Sequence, residues 1–217
     1  VFWSRHSDSH EDIIAEHKLK EVGARGIQLL RVEIKPADGD LSQPVDRWVY
    51  QVDQDMLPKW ADAKRDEART RAALADWYSA KVFTEGQHTV KDGQRYAIDS
   101  ARVVARDSAR VVARDSARVE AWTSARVEAW DSARVVAWGS ARVEARDSAR
   151  VEARDSARVE AWDSARVEAR DSARVDKLKL HATARLYDQA ESVKPEGPFA
   201  VLIDCRGARA VCTTGGE

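Results

Sequence analysis

The sequence predicts a mainly β protein. Its centre should be a parallel β-solenoid, two-sided with about 16 residues per coil. A small α+β N-terminal domain or cap should precede it, and a C-terminal β-hairpin cap should follow. Three features carry this prediction. An eight-residue unit, Asp-Ser-Ala-Arg-Val-Glu-Ala-Arg/Trp, repeats nine times without a gap from Asp99 to Arg170. Self-similarity at a fixed period marks a stacked architecture. Within each unit the small apolar residues alternate with larger ones: Ala101, Val103, Ala105, then Ala109, Val111, Ala113. Period two is the pattern of a half-buried strand, and an even repeat keeps the same parity from unit to unit. Finally, Asp-Ser at each junction suits a corner, because both side chains can hydrogen-bond nearby backbone.

A long helix is the rival, since Ala, Arg and Glu favour helices. It fails on geometry. At about 100° per residue each Val would sit ~80° from the previous one, and the apolar residues would spiral instead of forming a stripe. The number of sides follows from volume. With only Ala, Val and Ala pointing inward, two facing strands fill the interior, whereas a three-sided coil leaves a void on its axis. The nine octads then make about four and a half coils, a rod of roughly 22 Å at ~4.8 Å per coil.

The expected boundaries are 1–92 for the N-terminal region, 93–177 for the solenoid and 178–217 for a degenerate last coil and cap. In the first region Glu11 to Glu21 reads as a short helix with Ile13, Ile14 and Leu19 on its apolar side. Gly26 to Ile34 alternates like a strand, Pro36 to Asp40 is a loop, and Trp48 to Val52 is a second strand. Ala61 to Ala80 is a helix that turns Ala73, Leu74 and Trp77 toward the core. Lys81 to Val90 is a strand leading into the solenoid. Solenoids need covered ends, which gives this region its reading as a cap or a small domain. A tenth octad begins at Asp171 and loses the pattern after Val175. Leu178, Leu180, Ala182, Ala184 and Leu186 continue an alternation, and Arg206-Gly207-Ala208-Arg209 reads as the turn of a terminal hairpin.

The outer faces of the solenoid carry the candidate site. Every octad has Arg at its fourth position, and the sixth position holds Glu120, Glu128, Glu144, Glu152, Glu160 and Glu168. Arg stacked on Arg should repel, and Glu columns alongside should neutralise them, each exposed pair being worth about 0–1 kcal/mol. The eighth position is Arg in five octads and Trp at 122, 130, 138 and 162. In a two-sided coil Trp122 and Trp138 stack directly, with Val136 beside Trp138, as an apolar patch in mid-rod. Such patches mark contact sites, and Trp and Arg dominate interface hot spots. The expected interaction residues are therefore Trp122, Trp130, Trp138, Trp162, Val136, Arg118 and Arg134. The bland alternative is that each Trp covers a strand edge or stacks on an Arg of the next coil.

The chain has 217 residues and a formal net charge of −1, so no global field favours nucleic acid or membrane. From Asp99 to Arg174 fifteen Arg face eight Asp and six Glu. With Asp at the corners, the flat faces are left rich in Arg. No apolar run approaches the ~20 residues of a membrane span and no signal peptide is visible, which places the chain in the cytoplasm. It opens on Val1 without an initiator Met, which leaves room for a missing upstream segment. Cys205 and Cys212 could bridge a hairpin, but free thiols fit a reducing compartment better, and two Cys make an incomplete zinc site. His6, Asp8, His10 and Glu11 are candidates for a divalent metal, with His6 and His10 as its ligands. They also sit where terminal polar residues collect without purpose. Asp53 and Asp55, with Asp40 and Asp46, could serve as paired carboxylates, although Asp also ends strands at turns. No phosphate-loop, dinucleotide, nucleophile-elbow or zincin motif occurs, and no cofactor is implied. The Ser of each octad is a corner residue.

Tandem Asp-Ser-Ala-Arg-Val-Glu-Ala-Trp units over 99–174 resemble the octapeptide-repeat proteins of bacteria, especially actinobacteria, and their phages. That resemblance implies a solenoid and carries no activity. The stretch from Asp46 to Trp60 resembles a companion domain of such proteins. The period is also similar to that of bacterial ice-nucleation solenoids, whose outward Thr ladders are replaced here by Arg and Glu. The expectation is a non-enzymatic scaffold for protein binding or self-assembly. The alternatives are a rod that binds or mimics nucleic acid and a metal-dependent enzyme in the N-terminal region.

Overall fold

The computed structural model describes every residue except 5, 24, 25, 198, 208 and 217. The chain forms two units, Val1–Val82 and Phe83–Glu217. In the second, each octad supplies one strand of the form Arg-Val-x-Ala, from Arg102–Ala105 to Arg166–Ala169. Successive strands alternate between two parallel stacks. Among the described residues one sheet has nine strands and the other eight, about eight coils in all. The register is sixteen residues, so Arg118 lies on Arg134 and Val127 on Val143. The coil is therefore two-sided.

The interior follows the predicted parity. The third- and seventh-position Ala are fully buried and the fifth-position Val are at most 3% exposed. Thin side chains let the two sheets close on each other without a void.

The corners depend on Asp for a backbone reason. Asp99, Asp107, Asp115, Asp131, Asp147, Asp155, Asp163 and Asp171 all have φ between 51° and 56°, a left-handed conformation that Asp tolerates better than most residues. The Ala109 amide then donates to the Arg106 carbonyl at 3.0 Å, closing the turn. Corner side chains bond along the stack. The Asp131 carboxylate accepts from the Asp115 amide at 3.3 Å, and Ser116 Oγ donates to the Asp99 carbonyl at 2.6 Å.

The coils outrun the perfect octads. Gln87–Val90 pairs in parallel with Arg102–Ala105, and Gln94–Ala97 with Arg110–Ala113. On the far side Arg174–Leu178, Thr183–Leu186 and Val201–Asp204 continue the stacks. One extra residue enters near Asp176, so Glu160 faces Lys177 across seventeen residues. The shift puts Leu178, Ala182, Ala184 and Leu186 at the inward positions, and the expected alternation breaks at Leu180 because that residue falls at the first octad position, where every coil turns. Leu180 occupies a corner at φ 59° and is exposed, while Leu178, Ala182, Ala184 and Leu186 are buried. Val211–Thr214 folds back antiparallel on Val201–Asp204 as the terminal hairpin. Ala208, expected in its turn, lies outside the described residues. Cys205 and Cys212 are free thiols.

In the first unit, helix α1 (His10–Glu16) is shorter than expected, because the chain leaves the helix at Lys18 with φ 51°. The expected strand from Gly26 to Ile34 is two, Gly26–Ile27 and Val32–Lys35. Between them the Arg31 amide donates to the Gln54 side chain at 2.7 Å, outside any ladder. Val32–Lys35 pairs antiparallel with Val49–Val52. Helix α2 (Ala63–Lys81) is capped by Asp62, whose carboxylate accepts the Arg65 amide at 2.8 Å. It carries Leu74 inward and sets Trp77 and Tyr78 edge-on to the buried Trp48. Lys81, fully buried, is held by Asp8 at 2.5 Å. The expected strand from Lys81 to Val90 divides into Val82–Phe83 and Gln87–Val90 around a turn at Gly86, φ 78°.

Candidate interaction site

Three outward columns run along each face of the solenoid. The fourth-position column is Arg102, Arg118, Arg134, Arg150 and Arg166 on the nine-stranded sheet. On the eight-stranded sheet it is Arg110, Arg126, Arg142, Arg158 and Arg174. All ten are exposed. Arg174 approaches Asp176 and Glu191 at 3.7 and 3.9 Å. Among the described residues the other nine have no carboxylate within ion-pair distance.

The expected neutralisation of these arginines by the Glu column is therefore corrected. Glu144, Glu152, Glu160 and Glu168 turn the other way, toward position eight and its neighbours. Glu152 binds Arg154 and lies 3.9 Å from Arg170. Glu168 reaches Arg170 at 3.6 Å and Glu144 reaches Arg146 at 3.9 Å. Glu160 bonds Lys177 at 2.8 Å, and that hydrogen bond holds the ammonium above its ordinary pKa. Glu144, Glu152 and Glu168 each have an Arg on either side along the strand, and the one at position eight is already oriented by the ladder described next.

The eighth-position side chains form two cation–π ladders. On one face the order is Arg106, Trp122, Trp138, Arg154. The Arg106 guanidinium lies 5.9 Å from the Trp122 ring, Trp122 and Trp138 stack at 5.1 Å, and Arg154 lies 4.7 Å from Trp138. On the other face Trp130 sits between Arg114 and Arg146 at 5.7 and 5.0 Å. Trp162 sits between Arg146 and Lys177 at 4.7 and 5.4 Å. All four tryptophans thus have both ring faces covered, and all four are half-buried. Val136 is half-buried as well, whereas Arg118 and Arg134 project freely. The expected apolar patch in mid-rod is largely absorbed into the stack, leaving the rings' outer edges.

The eight-stranded face also holds a shallow groove of about 440 Å³, lined by Arg110, Arg126, Arg142, Arg158, Glu128 and Glu144.

The N-terminal candidates are dispersed. His10 has Nδ1 3.1 Å from Asp53 and Nε2 3.1 Å from the Val32 carbonyl, so both nitrogens are engaged. His6 is exposed. Among the described residues no group of three or more His, Cys, Asp or Glu could hold a metal. The His10–Asp53 pair joins two separately nominated clusters, and no local sequence signal connects positions so far apart. No described helix is long and apolar enough to cross a membrane. No protein-family model, curated protein or solved structure matches the chain.

Proposed function

We propose that this chain is a non-enzymatic β-solenoid scaffold that docks an acidic protein surface along its fourth-position arginine columns. The observation that carries the reading is the nine exposed, in-register arginines without a carboxylate partner among the described residues. Neighbouring guanidinium groups ~4.8 Å apart repel by up to about 0.9 kcal/mol in water. A partner that brings carboxylates to the column relieves that repulsion and gains charge-assisted hydrogen bonds. Arg118 and Arg134, beside Val136 and the edges of Trp122 and Trp138, offer charge next to apolar surface, the mixture found at hot spots.

Self-assembly is a second reading. Asp99, Asp115, Asp131, Asp147 and Asp163 follow one another at the register interval along one corner, so a second copy presents acid at the same axial repeat as the Arg columns. Nucleic-acid binding is less favoured. Single strands bind by stacking bases on free aromatic faces, and both faces of all four rings are occupied.

The test is fluorescence anisotropy with a labelled oligoglutamate peptide at low and high salt, with light scattering on the protein alone. Binding that weakens with salt and is lost in Arg126→Gln/Arg142→Gln supports docking. Salt-sensitive oligomers of the protein alone support the second reading. A monomer that ignores the peptide at low salt sinks both.

A further inference from the structure

The Val1–Val82 unit has a thin core. Among its described residues the buried apolar side chains are Trp48, Leu74, Val82 and two prolines, Pro36 and Pro58. Much of the remaining apolar surface, including Ile14, Leu29 and Ile34, is half-buried along an open cleft of about 670 Å³. That size suits a small molecule, since ligand sites of ~300–1,000 Å³ with apolar walls and a few polar groups are the common form. Trp3, Trp60 and Trp77 contribute flat aromatic walls. Trp60 is 49% exposed at the rim, an expensive position for an indole with nothing against it.

The charges on the cleft wall are not balanced. Each acidic side chain that lines it already holds a cation. Asp8 binds Lys81 at 2.5 Å, Glu33 binds Lys35 at 2.9 Å and Asp66 binds Arg65 at 2.9 Å. The Arg65 hydrogen bond keeps the Asp66 carboxyl below the usual carboxylate range. Two cations remain. Arg69, exposed on α2, makes no ion pair among the described residues and interacts only through space with Asp66, whose carboxylate Arg65 already holds. Arg31 has Nη1 3.4 Å from Glu21, and its side chain is 39% exposed.

We infer that this cleft binds a small amphipathic organic anion, its flat apolar body against the tryptophans and its anionic group on Arg69 and Arg31. The site is separate from the solenoid, and the inference stands whether or not the arginine columns dock a partner.

The experiment is calorimetric titration of the full chain with 2-naphthoate and with 2-naphthylmethylammonium, which share an apolar body and differ in charge. The expected result is one naphthoate per chain, bound roughly tenfold more tightly than the cation. Arg69→Gln should cut naphthoate affinity by about that factor and should not weaken the cation, which loses a repulsive neighbour. Arg126→Gln/Arg142→Gln, on the solenoid, should leave both unchanged. Ala73→Trp, which fills the cleft, should abolish binding of both while the circular dichroism spectrum is retained. Absence of naphthoate binding, equal affinity for the two probes, or insensitivity to Arg69→Gln overturns the inference. Arg69 is exposed, so its variant keeps the test decisive if Ala73→Trp fails to fold.

Discussion

Trp122 and Trp138 stack across adjacent coils with ring centroids 5.1 Å apart and planes 6° from parallel. Arg106 and Arg154 close the stack on either side. Every ring in the eighth-position columns therefore contributes to cohesion along the solenoid axis before it can contribute to a partner. Trp138→Ala removes a half-buried indole, one stacking contact and one cation–π contact, a loss of about 2 kcal/mol. Trp138→Arg restores the residue that other octads carry and should cost about half as much, because an arginine still covers Trp122. Urea denaturation checks the order. A Trp138→Ala protein as stable as the wild type would mean that the ladder is incidental.

A second relationship explains two octads that break the consensus. Thr123 takes the corner position at φ 59°, and Gly139 lies one coil further on at φ 65°. A Cβ on Gly139 would come within 3.2 Å of the Thr123 amide nitrogen and 3.3 Å of its Cα. Thr is β-branched, and a left-handed backbone strains it. Thr123→Asn keeps a side-chain oxygen for the Asp107 amide, which Thr123 Oγ1 now accepts at 2.6 Å, and suits the conformation better. It should stabilise by about 0.5–1 kcal/mol. Gly139→Ala adds both strain and a close contact and should destabilise by about 1–2 kcal/mol. Thermal melts that move the two variants the same way would contradict this account.

The terminal hairpin is tied down by one carboxylate. Asp204 accepts from the Arg206 side chain at 2.8 Å and from its amide at 3.0 Å, while Arg206 also donates to the Ala190 carbonyl at 2.9 Å. The Arg206 hydrogen bonds lower the Asp204 pKa from 3.8 to about 2. A depressed folded-state pKa means that the stabilisation is complete above the unfolded value and disappears as pH falls through the folded one. Asp204→Asn should therefore weaken protection of the 201–214 hairpin amides at neutral pH. The difference from wild type should close between about pH 4 and pH 2. Hydrogen exchange at several pH values checks this. A difference that persists below pH 2 would assign the effect to packing.

The sequence made the coil legible because the octad is even and its inward residues are small. Ala101, Val103 and Ala105 left strand as the only periodic solution, and the thin interior left two sides. What stayed hidden depends on side-chain choice among equivalent neighbours. Glu152 has Arg150 before it and Arg154 after it, and spacing alone does not say which it binds. The structure answers with Arg154, and the same choice along the stack leaves all of the fourth-position arginines but Arg174 without a carboxylate partner among the described residues. The register beyond Val175 was equally illegible, because a single extra residue near Asp176 sets which side chains turn inward, and the alternation from Leu178 to Ala182 passes through a corner at Leu180. In the first unit no repeat constrains the chain. The His10–Asp53 pair and the cleft arise from tertiary packing that local patterns do not encode.

Arg142 separates the role of the arginine column from the stability of the fold. It lies in register between Arg126 and Arg158, so Arg142→Gln removes a charge with a like-charged neighbour on each side. If the column exists to meet a partner, the free protein bears its repulsion. The variant should then be slightly more stable at low salt, by about 0.3–0.5 kcal/mol after solvent screening. That gain should shrink toward zero in ~1 M salt, where the Debye length is ~3 Å. Oligoglutamate affinity should fall in the same variant. Denaturation at two salt concentrations, set beside the anisotropy titration, tests both halves. A variant that is less stable at low salt would mean that Arg142 supports the free sheet, through its aliphatic stem or a contact with Glu144. The column would then be part of the fold and not a docking surface.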